Sequence, residues 1–349
     1  MRQAYLNAIG TAVPDQDVHA AFIDWATARI DDPRERRLFG RMVQRAGIEH
    51  RWSVLPEAPG GGSPVCPGGF YDGATLPGTA ARMRIYGTAA PALALDAVRA
   101  LDADPAEITH LVVASCTGFV APGVDQILAR ALGLRPGVER LLIGFMGCYA
   151  AVSALRSARH IVRSDPGARV LVVTVELSSL HLQESDGVEA LLAMLQFGDG
   201  AAAGLVSAEP AGLVLDAPFA ATLPDSDALI RWDITDQGFA MHLSGEVPGR
   251  IAAALAEPGF REALAVDGVD AWAVHAGGRS ILDAVEGALA LGQGALADSR
   301  EVLRRFGNMS SATLMFVLQR LIGRPVERGV ALAFGPGLAA EGFRFRAAA

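Results

Sequence analysis

Short apolar runs of strand length alternate with longer stretches of helical periodicity along this chain, and the order begins again after Glu209. Residues 109–115, 169–175 and 201–206 read as buried strands, and residues 79–102, 122–132 and 188–195 as helices between them. Upstream lie a strand at 4–9, helices at 17–30 and 33–48, and a glycine- and proline-rich loop at 57–78 that lacks any period. Such alternation implies a mostly parallel sheet covered by helices on both faces, an α/β class. In the second stretch, strands at 213–215 and 229–235 precede a helix at 247–256 and a strand at 271–275. Helices opening at Arg279, Ala297 and Asn308 follow, then closing strands at 329–334 and 343–346. A repeated order without repeated sequence suggests two similar layered halves, 1–209 and 210–349. No GxGxxG follows a strand, so nothing supports a dinucleotide site.

What the chain lacks narrows its chemistry. All 30 basic residues are arginine. Without lysine there is no Schiff base and no Walker-A phosphate lysine, which disfavours pyridoxal enzymes, Schiff-base aldolases and P-loop NTPases together. The net charge of −8 and the absence of a basic run argue against nucleic acid or an anionic membrane as partners. Cys66, Cys116 and Cys148 are widely spaced, with no CxxC pair. That spacing fits a reducing cytoplasm, and no disulfide framework or metal site is expected. One local exception to the acidic balance is the helix at 33–48, where Arg34, Arg37, Arg41 and Arg45 recur at three- and four-residue steps and share a face. Such a face is either simply solvated or a site for phosphate.

The stretch LLIGFMGCYAAVSALRSARHI, residues 141–161, places a cysteine where a strand-like run, 141–145, hands over to an alanine-rich helix. The unpaired N–H groups and positive end of a helix favour a thiolate there, so Cys148 is a candidate nucleophile. A nucleophilic cysteine needs a base or an ion-pair partner. Of the seven histidines, His19, His50, His160 and His181 fall on helix faces or loops where a surface or satisfied-core role is ordinary. His275 instead ends the apolar run 271–274 and is followed by Gly277-Gly278, which lets backbone approach a ligand. Only Asn7 and Asn308 are asparagines, and Asn308 again opens a helix, as an N-cap or as a third polar group of a site.

GCYA around Cys148, HAGGRSILDAVEGAL from His275 and GNMSSATLMFVL around Asn308 resemble the Cys-His-Asn set of type III polyketide synthases, the chalcone synthase-like enzymes. IGTAVP, FGDGAAA and FGPG fit the same family in the same order. The resemblance implies a thiolase-like αβαβα fold and a homodimer without a metal or cofactor. It further implies iterative condensation of malonyl-CoA onto an acyl-CoA starter without a carrier protein. Carried over, Cys148 holds the acyl chain, while His275 keeps it ionised and joins Asn308 in donating to thioester carbonyls. Phe197 matches a gatekeeping aromatic, and Arg41 and Arg45 match CoA-phosphate contacts, with a third such position falling on Leu38.

Departures from the plant pattern concentrate in the pocket. Cys116 and Thr117 replace its small polar pair, Met241 stands for a second gatekeeping phenylalanine, and Trp232 for a glycine. Ala121 occupies the place of a methionine that reaches into the partner's cavity. His181 and Ser310 complete the expected lining. These changes resemble the bacterial branch, and they leave starter, extension number and ring closure open. Two rivals share part of the pattern: a ketoacyl synthase III-like enzyme performing one condensation, and a non-catalytic scaffold that binds CoA thioesters.

Overall fold

The computed structural model describes residues 2–185 and 187–349. Its strands are β1 (Tyr5–Ala12), β2 (Gln16–Asp17), β3 (Trp52–Ser53), β4 (His110–Ser115), β5 (Glu139–Gly144), β6 (Val170–Leu177), β7 (Asp199–Ser207), β8 (Leu213–Thr222), β9 (Ile230–Thr235), β10 (Gly238–Leu243), β11 (Ala271–Val274), β12 (Gly329–Gly335) and β13 (Ala339–Ala347). The α-helices are α1 (His19–Thr27), α2 (Pro33–Ala46), α3 (Thr79–Leu101), α4 (Val124–Ala131), α5 (Ala150–Ser164), α6 (Val188–Met194), α7 (Val247–Ala256), α8 (Pro258–Leu264), α9 (Arg279–Ala288), α10 (Ala297–Phe306) and α11 (Ser311–Gln319).

Nine strands form one sheet in the order β11-β12-β13-β8-β1-β7-β6-β4-β5. The internal duplication is visible in its pairings. From β4 through β6 and β7 to β1 the neighbours run parallel, antiparallel, antiparallel, and the same sequence of directions runs from β11 through β12 and β13 to β8. Within the sheet, the two sets of strands meet at a short antiparallel contact, Tyr5 with Val214 and Leu6 with Leu213. The sheet is thus mixed, where alternation of strand and helix suggested a mostly parallel one. Apolar periodicity reports burial and carries no information about direction. Here β12 returns as β13 across the tight turn Pro336–Leu338, which forces an antiparallel pair.

Alternate residues along the strands separate the layers. Val112, Ala114, Val170 and Val172 face a central core, as do Ala331 and Ala333 from the other half. Helices α5 and α11 fill that core between the two halves of the sheet. Leu111, Val113, Leu171 and Val173 face outward toward α3 and α4, and Val330, Leu332 and Phe334 toward α7, α9 and α10. The order is helix, sheet, helix, sheet, helix. α11 is buried all round from Ser311 through Leu318, as a helix apolar on every face must be.

Two departures bear on the site. The run at 141–145 is not a buried strand: β5 is the last strand of the sheet, and Leu141 and Leu142 are 42% and 47% exposed. An apolar edge reads like an apolar core until its neighbours are known. The stretch 229–243 is a hairpin, β9 with β10, in which Trp232 stands opposite Met241.

Leu314 lies on the wholly buried α11. Leu314→Ala is expected to lower stability by about 2–5 kcal/mol in urea unfolding. A loss below ~1 kcal/mol, the range of surface changes, would show that the central layer is not a shared core.

Candidate active site

Cys148 occupies a single 3₁₀ turn, Gly147–Tyr149, between β5 and α5. Gly147 has φ +68°, and a Cβ there would stand 2.3 Å from the Pro336 ring, so glycine is required to bring the chain round at this point. The thiol is half-buried and donates to Ser310 Oγ at 3.6 Å. Ser310, itself at φ +47°, is the N-cap residue of α11. The first turns of the two central helices therefore meet at this hydrogen bond.

Asn308 is not the N-cap of α11; it stands two residues before it and organises the approach. Its Oδ1 accepts from Ser310 N at 2.8 Å and its Nδ2 donates to Gly277 O at 3.1 Å. Its own N–H donates to Gln196 O at 2.7 Å and its carbonyl accepts from Gly198 N at 3.0 Å. This parallel bridge clamps Phe197 beside it. Gly307 makes the clamp possible, because with φ +67° a Cβ would lie 2.8 Å from Gln196 O.

His275 continues the β11 ladder by donating its N–H to Leu332 O at 2.8 Å. The side chain is 2% exposed, and neither ring nitrogen has a hydrogen-bond partner. Burial without a partner pushes the imidazole down to about 3, so it is neutral. Cys148, His275, Asn308, Phe197 and Met241 together line a small cavity of about 40 Å³, with Ile230, Leu243, Val247 and Phe334 among its apolar walls.

The helix dipole does not win at Cys148. Burial pushes the thiol up to about 11, the nearby Glu176 carboxylate adds to the rise, and bonds from Ser310 and Asn308 only partly oppose it. In this geometry the thiol and the imidazole are both neutral, and they share no hydrogen bond. The pull of a helix start on this thiol is thus opposed by the loss of water around it. A dry cavity favours two neutral groups unless they pair directly.

Of the expected pocket residues, Phe197 and Met241 line both this cavity and a larger one of about 90 Å³, which His181 and Trp232 also line. His181 is a satisfied core histidine as well: its Nε2 bonds Thr117 O at 2.7 Å and its Nδ1 accepts from Phe239 N at 3.0 Å. Cys116 and Thr117 are fully buried and line neither cavity, lying behind Ser310. Ala121 is exposed on the segment before α4, away from both cavities. Arg41 and Arg45 lie exposed on α2, but only Arg45 lines a groove, one shared with Arg279 and Gln196.

Glu176 went unnoticed in the sequence. It accepts from Cys116 N, Thr117 Oγ1 and Ser311 Oγ, and it also bonds the Cys116 thiol, which lies 3.3 Å from Ser310 Oγ. Burial raises its pKa. The visible signal was a carboxylate inside the apolar run LVVTVELSS. Among the described residues no cluster of His, Cys, Asp and Glu could hold a metal ion.

Family models for chalcone and stilbene synthases match the chain over residues 2–210 for the N-terminal domain and 215–349 for the C-terminal domain. The alpha-pyrone synthesis polyketide synthase-like Pks18 of Mycobacterium tuberculosis is 36% identical over 284 residues, covering 76% of this chain and 72% of that protein. The C-terminal type III polyketide synthase domain of Steely1 from Dictyostelium superposes with a TM-score of 0.89 at 26% identity, over 99% of this chain and 100% of that one. PKS-I of the brown alga Ectocarpus siliculosus does so with a TM-score of 0.87 at 29% identity, over 99% of both. The duplicated five-layer fold is therefore the thiolase-like one, and its family uses CoA thioesters as substrates without a cofactor. This chain belongs to the chalcone and stilbene synthase family, the type III polyketide synthases, and is an acyltransferase.

Proposed function

We propose that Cys148 accepts the acyl group of an acyl-CoA starter, or of malonyl-CoA itself, and that the chain grows by repeated decarboxylative condensation with malonyl-CoA before cyclising to an aromatic or pyrone product. The observation that carries this reading is the convergence of a thiol, an unpartnered imidazole and a carboxamide on one apolar cavity.

In the first step His275 takes the thiol proton as sulfur attacks the thioester carbonyl, and returns it to the departing CoA thiolate. A neutral imidazole is the form that does this. In the second, malonyl-CoA loses carbon dioxide, and the resulting enolate oxygen accepts hydrogen bonds from His275 and from the N–H of Asn308 that Gly277 leaves free. Its carbon attacks the Cys148 thioester, forming the new C–C bond and releasing the cysteine thiolate, which takes up one proton. Phe197 and Met241 exclude water from this exchange, and His181, Trp232 and Ser310 shape the walls. Behind them, Cys116 and Thr117 hold Ser310 and Glu176 in place.

Arg41 and Arg45 supply phosphate contacts for CoA in this reading. No carboxylate pairs with Arg34, Arg37, Arg41 or Arg45 among the described residues, so the charge of that face is free for a polyanion. We further propose a homodimer of cytoplasmic chains, each with units at 1–209 and 210–349, working without a carrier protein. The unpaired edge of β5, with Leu141, Leu142, Phe145 and Phe119 exposed beside it, supports the dimer. No helix among the described residues is long and apolar enough to cross a membrane.

Without His275 no base stands in the cavity to take the thiol proton, so attack by the Cys148 sulfur slows at neutral pH. Iodoacetamide is expected to label Cys148 at pH 7 at least about tenfold more slowly in His275→Ala than in the native enzyme. Equal rates would remove His275 from the role of base. Cys148→Ala is expected to abolish turnover, and surviving activity would sink the assignment.

Mass spectrometry of products from malonyl-CoA, alone and with acetyl, medium-chain, long-chain and aromatic acyl-CoAs, tests the reaction itself. Products longer than the starter by several two-carbon units are expected. A single extension, or CoA binding without malonyl-CoA consumption, would overturn the iterative reading.

A further inference from the structure

We propose that Arg279, contributed by the second half of the chain, is a phosphate contact for the CoA carrier, completing with Arg45 a site to which α2 supplies only one wall. The proposal rests on the reading of Cys148 as the acceptor of CoA thioesters.

A groove runs between the C-terminal end of α2 and the start of α9, lined by Met42, Arg45, Gln196, Arg279, Ser280 and Asp283. Its floor is the outer side of the active-site wall. Gln196 lines the groove while the next residue, Phe197, lines the cysteine cavity; Arg279 and Ser280 line the groove while Gly277 and Ile281 line the cavity. The groove and the cysteine cavity are therefore adjacent, separated by the wall that Gln196–Phe197 and Arg279–Ile281 build.

The arginine is also placed in advance. Its Nη1 donates to Arg45 O at 3.2 Å, one of the last carbonyls of α2, which fixes the guanidinium next to Arg45. Two arginines, Arg45 and Arg279, line the groove against one carboxylate, Asp283, which lies 3.6 Å from Arg279 Nε and also pairs with Arg300, itself held by Glu286. Arg45 has no carboxylate partner among the described residues. The groove therefore carries uncompensated positive charge, which a phosphate neutralises. Leu38, where the family resemblance placed a third basic residue on α2, is exposed and apolar. Arg279 supplies the missing charge from the facing helix.

Capping α2 is a purely structural alternative for Arg279, and substrates with and without phosphates separate the two. Malonyl-CoA is compared with malonyl-N-acetylcysteamine, which keeps the thioester and lacks every phosphate. In Arg279→Met, the ratio of kcat/KM for malonyl-CoA to that for the short thioester is expected to fall about tenfold, the loss of one charge-assisted contact. Arg279→Lys is expected to recover most of the ratio, since a phosphate accepts a point charge. An unchanged ratio in Arg279→Met, whether both substrates keep their rates or both lose them together, would overturn the proposal. If the native enzyme consumed neither thioester, the reading of Cys148 would fail instead.

Discussion

The complete burial of α11 is the constraint on which the rest of the structure depends. A helix with no polar face has to be surrounded, and one half of this chain has too little surface to do it. The duplicated sheet supplies a face on either side, and α5 lies beside α11 as its counterpart. Once both helices occupy one layer, their first turns are neighbours, and the loops that enter them are forced to share a space. Cys148 precedes α5 and Asn308 precedes α11. The site is thus a by-product of core packing, and its precision comes from the same contacts that stabilise the fold.

That origin has an electrostatic consequence. Residues placed beside a core lose water, and here desolvation is the first cause at the thiol, the imidazole and Glu176 alike. Each moves toward its neutral form. The helix dipole, worth about 0.3–1 kcal/mol in exposed settings, is too small to reverse the loss of solvation. Glu176 escapes the worst of the penalty because it accepts from two hydroxyls and a backbone N–H, so the carboxylate's lone pairs are occupied.

Particular residues show what the sequence could and could not reveal. The apolar runs ending at Phe145 and Val274 and the helix openings after Cys148, His275 and Asn308 were legible, although the joint at Asn308 links two helices, α10 and α11. Those signals are local and survive in one dimension. Strand direction, the exposure of β5 and the placement of Ala121 depend on which element lies next in space, so periodicity could not carry them. The same holds for Glu176 and Arg279: both look like ordinary charged residues until partners distant in sequence, Ser311 for one and Arg45 for the other, come within reach.

The β9–β10 hairpin carries this argument to specificity. Trp232 and Met241 are directly opposed in its register, so their side chains project from one face. Met241 faces both cavities, and Trp232 completes a run of rings with Phe197, Phe239 and His181. The wall shared by the two cavities is therefore built from Phe197 and from Met241 of a two-stranded hairpin outside the nine-stranded sheet. Its side chains can change size without opening a void in the central layer, where a deletion costs about 2–5 kcal/mol. Side chains on this hairpin can therefore vary while the loops that carry Cys148, His275 and Asn308 stay fixed by the core.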